Sequence, residues 1–369
     1  MVFYISIITS LVILSFLDLI SIQPRIKRLL IFMAAFVLIF LSGIRWETGT
    51  DWSSYLAFFR NNNFVSEFIF GEFELGYGLL NYLAKIITDS YSLLLLMIAS
   101  IVILIKTQFI LSYSPYPFTS FLVNFSSSIG EMFIVRQYIA VALTMLSIKY
   151  IIRKDIIKYL ACLLLAASFH SSALVFLPAY LIFSAKGGRC KLAGFILVSM
   201  LIGKMNVFPS LLQPILSLIG SENLLAVQKL STYLEKDAIN ENLDNDVMVV
   251  LGYLRRIIFL PLLIMYVNKI EIKLPYYRGL LNLVVCGHCI YFLFIDTVSV
   301  VAIRSSAYYI VYEIILIPCF LVLLKRPPYK ILLWMAFVLY CLLKYSYSLS
   351  GYYDLYVPYI TVFDDVGVR

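Results

Sequence analysis

Arg45, Arg136, His170, Arg256 and Arg304 are the residues of this chain whose type and spacing suit work on an anion. Each lies about 13 to 21 residues from a cluster of basic side chains, which along a helix is about 20 to 31 Å. All five therefore reach one face of a membrane. Guanidinium groups carry a planar donor fork that fits phosphate oxygens, and such charge-assisted bonds are about twice as strong as neutral ones. An arginine inside a span costs about 2.5 to 3.5 kcal/mol on insertion scales, so Arg136 and Arg304 are expected to face protein and meet a partner. With no matching set of carboxylates in the spans, the arginines read as a site awaiting an anionic ligand. Snorkelling to lipid headgroups is the alternative for any one of them.

His170 is one of two histidines and is followed by Ser171 and Ser172. It is either a base near neutral pH or a polar cap on a helix end. Asp51, in Gly49-Thr50-Asp51-Trp52, is a second candidate base or a cap for a helix starting at Trp52. Cys286-Gly287-His288-Cys289 has C-x-x-C spacing but lies in an apolar run, where packing is the better reading. Asp244-Asn245-Asp246 reads as a solvated loop, with no nucleotide-binding pattern before it. No metal site or cofactor is expected. Walker, H-E-x-x-H and G-x-S-x-G sequences are absent.

The elements that must position these groups follow from composition. The chain is 62% hydrophobic and 14% charged, with mean hydropathy +0.94. Apolar runs recur without period-two alternation, so helices satisfy the backbone in the bilayer. The run from Met1 to Ile20 is read as a retained span. Net charge is +8, but the basic residues are scattered over short loops and report orientation, not nucleic acid. Clusters at 25–28, 153–158, 186–191, 269–278 and 325–330 mark cytoplasmic turns.

These turns predict spans near 2–21, 29–44, 91–111, 118–130, 131–152, 156–169, 171–185, 192–219, 247–267, 277–295, 299–324 and 330–349. The expectation is an all-α polytopic membrane protein of about twelve transmembrane helices (10 to 12), forming one domain over 1–369. Outer-face segments are predicted at 45–74 and 220–246, and 75–88 is an interfacial or re-entrant helix. His170 falls at the apex of a tight hairpin. Lys204 reads as the only strong mid-span cation.

The ordered motifs resemble the EpsG family of Wzy-like polysaccharide polymerases. They are Gly43–Phe59 (GIRWETGTDWSSYLAFF), Glu74–Asn81 (ELGYGLLN), Arg136–Leu143 (RQYIAVAL), Phe169–Tyr180 (FHSSALVFLPAY) and Arg304–Pro318 (RSSAYYIVYEIILIP). The resemblance implies a GT-C-like enzyme of the bacterial inner membrane, active on its outer face. It would polymerise repeat units carried on undecaprenyl pyrophosphate, with inversion and without a metal. On that reading Arg45, Arg136 and Arg304, with Arg255 and Arg256, bind pyrophosphate, and His170 or Asp51 serves as base. Tyr55, Glu74, Tyr77, Tyr308 and Tyr309 would line the sugar and lipid groove. The implied partners are lipid-linked glycans, membrane lipids, a Wzz-like chain-length regulator and a flippase, with no nucleic acid. A lipid-linked oligosaccharide flippase and an O-antigen ligase are the competing readings. The sequence shows neither the cations through the bundle nor the internal repeat that a transporter would carry.

Overall fold

The computed structural model describes residues 1–49, 51–127, 136–205, 256, 258–350 and 353–364. In chain order its helices are α1 (Val2–Phe16), α2 (Pro24–Ile44), α3 (Trp52–Asn61), α4 (Val65–Ile69), α5 (Leu75–Ile87), α6 (Tyr91–Tyr113), α7 (Pro117–Ser127), α8 (Arg136–Ile152) and α9 (Ile156–Phe169). After a 3-10 turn at Ser171–Phe176 come α10 (Ala179–Ser184), α11 (Arg189–Lys204), α12 (Leu260–Met265), α13 (Val267–Glu271), α14 (Tyr277–Phe294), α15 (Ser299–Ile310) and α16 (Glu313–Leu316). A further 3-10 stretch, Pro318–Leu323, besides a short one at Leu17–Leu19 after α1, leads to α17 (Pro327–Ser350) and α18 (Tyr353–Tyr356). The expected segment 220–246, Arg255 and the Asp244-Asn245-Asp246 triplet lie outside the described residues.

Among the described residues, five helices are long and apolar enough to cross a membrane: Val2–Leu19, Pro24–Ile44, Tyr91–Tyr113, Tyr277–Phe294 and Pro327–Ser350. Ser299–Ile310 and Glu313–Leu323, bent by 46°, make a sixth if they act as one span. The protein is thus a helical, multi-pass membrane protein. Ile156–Phe169 and Ser171–Ser184 are apolar but shorter than a full span.

The contacts divide the chain into two compact units. Unit 1 comprises Met1–Leu174 and Ile317–Arg369, and unit 2 comprises Val175–Leu316.

In unit 1, α2 buries Ile31, Ala35, Leu38, Ile39, Ser42 and Gly43, a stripe at helical spacing that packs on α6. Asp18 joins three elements at one end. Its Oδ2 accepts the Thr119 N–H at 2.7 Å, covering an orphan donor in the first turn of α7, and Lys27 approaches Oδ1 at 3.4 Å. The α8–α9 connection is a tight turn. Lys154 takes a left-handed φ of 57°, the Asp155 N–H bonds back to Tyr150, and the Asp155 carboxylate caps α9 through the Lys158 N–H.

The chain end returns to α2. Trp46 N–H donates to Ile360 and Val362 N–H to Ile44, forming an isolated bridge, Arg45 with Thr361. Tyr4 Oη donates to the Tyr356 carbonyl and Tyr345 Oη to that of Tyr4, so α1, α17 and this end segment are tied together.

In unit 2, α14 is the central helix, packed by α10, α11 and α15. Close approach is possible because Gly203 faces it: a Cβ there would lie 1.9 Å from the Phe292 carbonyl. Arg278 fixes one end by bonding Glu271, Asn268 and the Gly187 carbonyl. Asn282 bonds the terminal carbonyls of α10.

Candidate active site

The site in unit 1 begins with one glycine in the segment 75–88, expected from the sequence as an interfacial or re-entrant helix. A Cβ on Gly76 would lie 2.5 Å from Ser168 Oγ and 2.8 Å from the Ser168 carbonyl. Only glycine lets the first turn of α5 lie against the end of α9. Glu74, the residue preceding α5, is thereby brought to the turn that carries His170. Its side chain makes no capping bond to its own helix.

Arg136, the first residue of α8, meets Glu74 from the other side. Nη1 donates to Glu74 Oε2 at 2.5 Å and Nε donates to Tyr55 Oη at 3.2 Å. The guanidinium lies 4.2 Å from the centre of the Phe73 ring, 5.4 Å from Tyr55 and 5.9 Å from Tyr77. Stacking and two bonds from rigid neighbours fix the fork's plane. Nη2 has no hydrogen-bond partner among the described residues. Tyr55, Phe58, Phe73 and Tyr77 contact one another as an aromatic cluster, so the arginine stands on a preformed wall.

The second oxygen of Glu74, Oε1, accepts the Ser171 N–H at 3.2 Å. His170 itself ends α9. Its N–H caps the helix on Ala166, and its Nδ1 shares a hydrogen bond with Ser172 Oγ at 2.6 Å. Cap and candidate base are therefore the same residue. Burial works against ionisation of Glu74. The Arg136 charge outweighs it, together with backbone N–H donors including that of Ser171 and the nearby His170, and the carboxyl is held below its usual range. Both side chains of the pair are about four-fifths buried, at 20% and 23% exposure, so water screens the pair only in part.

The structure gathers Arg136, Glu74, Tyr55 and Tyr77 around the His170 turn, and the protein partner expected for Arg136 is the Glu74 carboxylate. Arg45 is also in unit 1 but is 3% exposed, bonded to the Thr48 carbonyl and lying over Trp52. Asp51 precedes α3 as the sequence suggests, exposed and without a side-chain capping bond.

Arg256, Arg304, Tyr308 and Tyr309 belong to unit 2. Arg256 lies 3.5 Å from the Tyr291 ring centre. Arg304 is exposed on α15, where an inward orientation was expected. Tyr308 and Tyr309 are wholly buried, and Tyr309 Oη donates to the Val175 carbonyl, so in this structure they pack the interior of unit 2 and do not line an open groove.

Three features escape a reading of the sequence. Phe73 supplies the closest face to Arg136. Lys106 sits within α6 at 1% exposure, over Tyr138, so Lys204 is not the only intramembrane cation. Lys204 ends α11 and pairs with Asp296 at 3.0 Å. His288 and Glu313 form a buried pair at 2.8 Å in unit 2. An acid and a histidine in apolar runs are a signal that finds such pairs. Cys286 and Cys289 are unpaired thiols on the same helix as His288.

A fixed guanidinium, aromatic faces and an imidazole suit a ligand that combines sugar with phosphate: rings stack on sugar faces, and the donors offset charge on a departing oxyanion. No curated protein and no solved structure matches the chain. The model of the EpsG family matches residues 28–361, which takes in Arg136, Glu74, Tyr55 and His170. The chain belongs to the EpsG family, the Wzy-like polysaccharide polymerases.

Proposed function

We propose that the protein polymerises oligosaccharide repeat units carried on undecaprenyl pyrophosphate, at the outer leaflet of the bacterial inner membrane. The observation that carries this reading is Arg136, held by Glu74 and Tyr55 over Phe73 beside the His170 turn. The acceptor sugar hydroxyl attacks the anomeric carbon of the growing chain. The new C–O bond forms as the bond to pyrophosphate breaks, and undecaprenyl pyrophosphate leaves with the electron pair. Arg136 offsets the charge developing on that leaving group through the donors not given to Glu74 and Tyr55. His170 takes the hydroxyl proton. Direct displacement without an enzyme nucleophile inverts the anomeric centre.

On this reading the chain crosses the membrane about twelve times in a GT-C-like arrangement, and Arg45, Arg256 and Arg304 grip further phosphate groups. Unit 1 also holds an apolar crevice of about 530 Å³ between α1 and α2, lined by Phe3, Ile7, Leu11, Met33 and Val37. Its chemistry suits an isoprenoid tail. Deleting the gene in its host and resolving surface polysaccharide by gel tests the proposal. Acceptor bearing single repeat units, with the ladder restored by wild type and not by Arg136→Ala, is the expected result. Loss of all surface glycan, single units included, would transfer the argument to a flippase or a ligase.

A further inference from the structure

Taking that polymerase chemistry as its basis, we propose that Glu74 is a positioning residue: its carboxylate joins the Arg136 fork to the turn bearing His170, so one side chain registers the leaving-group grip against the base. Three elements meet at this carboxylate. Oε2 takes Arg136 Nη1 from the start of α8, and Oε1 takes the Ser171 N–H from the turn after α9. Glu74 itself stands at the start of α5, which Gly76 seats against Ser168.

An acid at a helix start ordinarily accepts an N–H from its own first turn. Glu74 makes no such bond, and its oxygens turn to two other elements instead. A role as the proton acceptor fits poorly. An ionised carboxylate bound by a guanidinium and an N–H has little tendency to take a proton. A bidentate bridge of this kind fixes two groups that lie 62 and 97 positions away in sequence. Displacement chemistry requires such fixing, because an error of about 1 Å in the reacting geometry costs about a hundredfold.

Glu74→Gln keeps the shape and an oxygen for Ser171 but removes the charge that aligns Arg136. Glu74→Asp keeps the charge and shortens the reach by one methylene. The test uses full-length protein in lipid and repeat units on their lipid carrier, extracted from the polymerase-deleted host. Rates are compared for wild type, Glu74→Gln, Arg136→Lys and the double variant, with thermal unfolding of each recorded.

A role through Arg136 predicts that Glu74→Gln lowers kcat about tenfold to a hundredfold, with a smaller change in KM. The same substitution then has much less effect in the Arg136→Lys background. Glu74→Asp falls between wild type and Glu74→Gln. Equal losses in both backgrounds, or a Glu74→Gln enzyme as fast as wild type, would overturn the inference. So would losses that only track unfolding, with Glu74→Asp no better than Glu74→Gln. A fully active Arg136→Lys would instead remove the fork from the polymerase reading itself.

Discussion

Gly76 and Ser168 are packed so closely that a single added methyl group at position 76 would lie 2.5 Å from the serine hydroxyl. Through this contact the start of α5 reaches the end of α9, and Glu74 reaches the turn beyond it. Gly76→Ala must push the two helices apart. Overpacking of this kind costs about 1–3 kcal/mol. Polymer yield should fall further than the amount of folded protein in the membrane, as read by immunoblot beside the polysaccharide gel. Yield that merely follows protein level would show that the contact serves stability alone.

Tyr55 offers Arg136 both a ring and an acceptor for Nε. Tyr55→Phe retains the ring and removes the acceptor. The loss of one charge-assisted bond corresponds to about 1.5–3 kcal/mol, or roughly tenfold to a hundredfold in rate if the bond persists in the transition state. Steady-state kinetics on the purified variant measure it, and Tyr55→Ala should be worse because the stacking face goes too.

Glu74 also gives a pH signature. A carboxyl whose folded value lies below the ordinary 4.5 contributes stability that is fully present above about 4.5 and fades as pH falls through the folded value. The difference in unfolding temperature between wild type and Glu74→Gln should therefore be constant from pH 8 down to about 5. It should close as the pH is lowered further. A difference that closes between pH 7 and 5 would mean that the carboxyl is not held in its ionised form.

The helical architecture was legible in the sequence because long apolar runs leave the backbone no other way to satisfy its hydrogen bonds. Arg136, His170 and Tyr55 stood out by residue type and by place in the motifs. The role of Glu74 did not, since its partners lie 62 and 97 positions away and no local periodicity records such pairings. That Ile360 and Thr361 return to pair with the backbone at 45–46 is likewise invisible in the sequence around Arg45, for the same reason of distance along the chain. Lys106 was hidden by its surroundings: one cation hardly alters the hydropathy of a 23-residue helix, although its burial makes it a partnered group.

The His288–Glu313 pair gives a prediction independent of the site. Removing one partner costs the other this buried hydrogen bond, about 1–3 kcal/mol, whereas replacing both with apolar residues of similar shape can be nearly neutral. His288→Leu should sharply lower the unfolding temperature. The double variant His288→Leu/Glu313→Leu should recover most of it. If the double variant is as unstable as the single one, the pair does not account for the loss.

Asp18 should behave as a joint in unit 1. Asp18→Ala strands the Thr119 N–H and frees Lys27, a loss of about 1–3 kcal/mol, while Asp18→Asn keeps an oxygen for Thr119 and should lose less. Thermal unfolding of the purified variants ranks them.

The central claim is that Arg136 stabilises a pyrophosphate leaving group during chain growth. The most direct measurement supplies purified protein in lipid vesicles with lipid-pyrophosphate repeat units and follows chain length and released undecaprenyl pyrophosphate together. Wild type should release one carrier for each unit added, and Arg136→Ala should do neither while remaining folded. Chain growth at the wild-type rate by Arg136→Ala, or carrier release uncoupled from growth in the wild type, would contradict it.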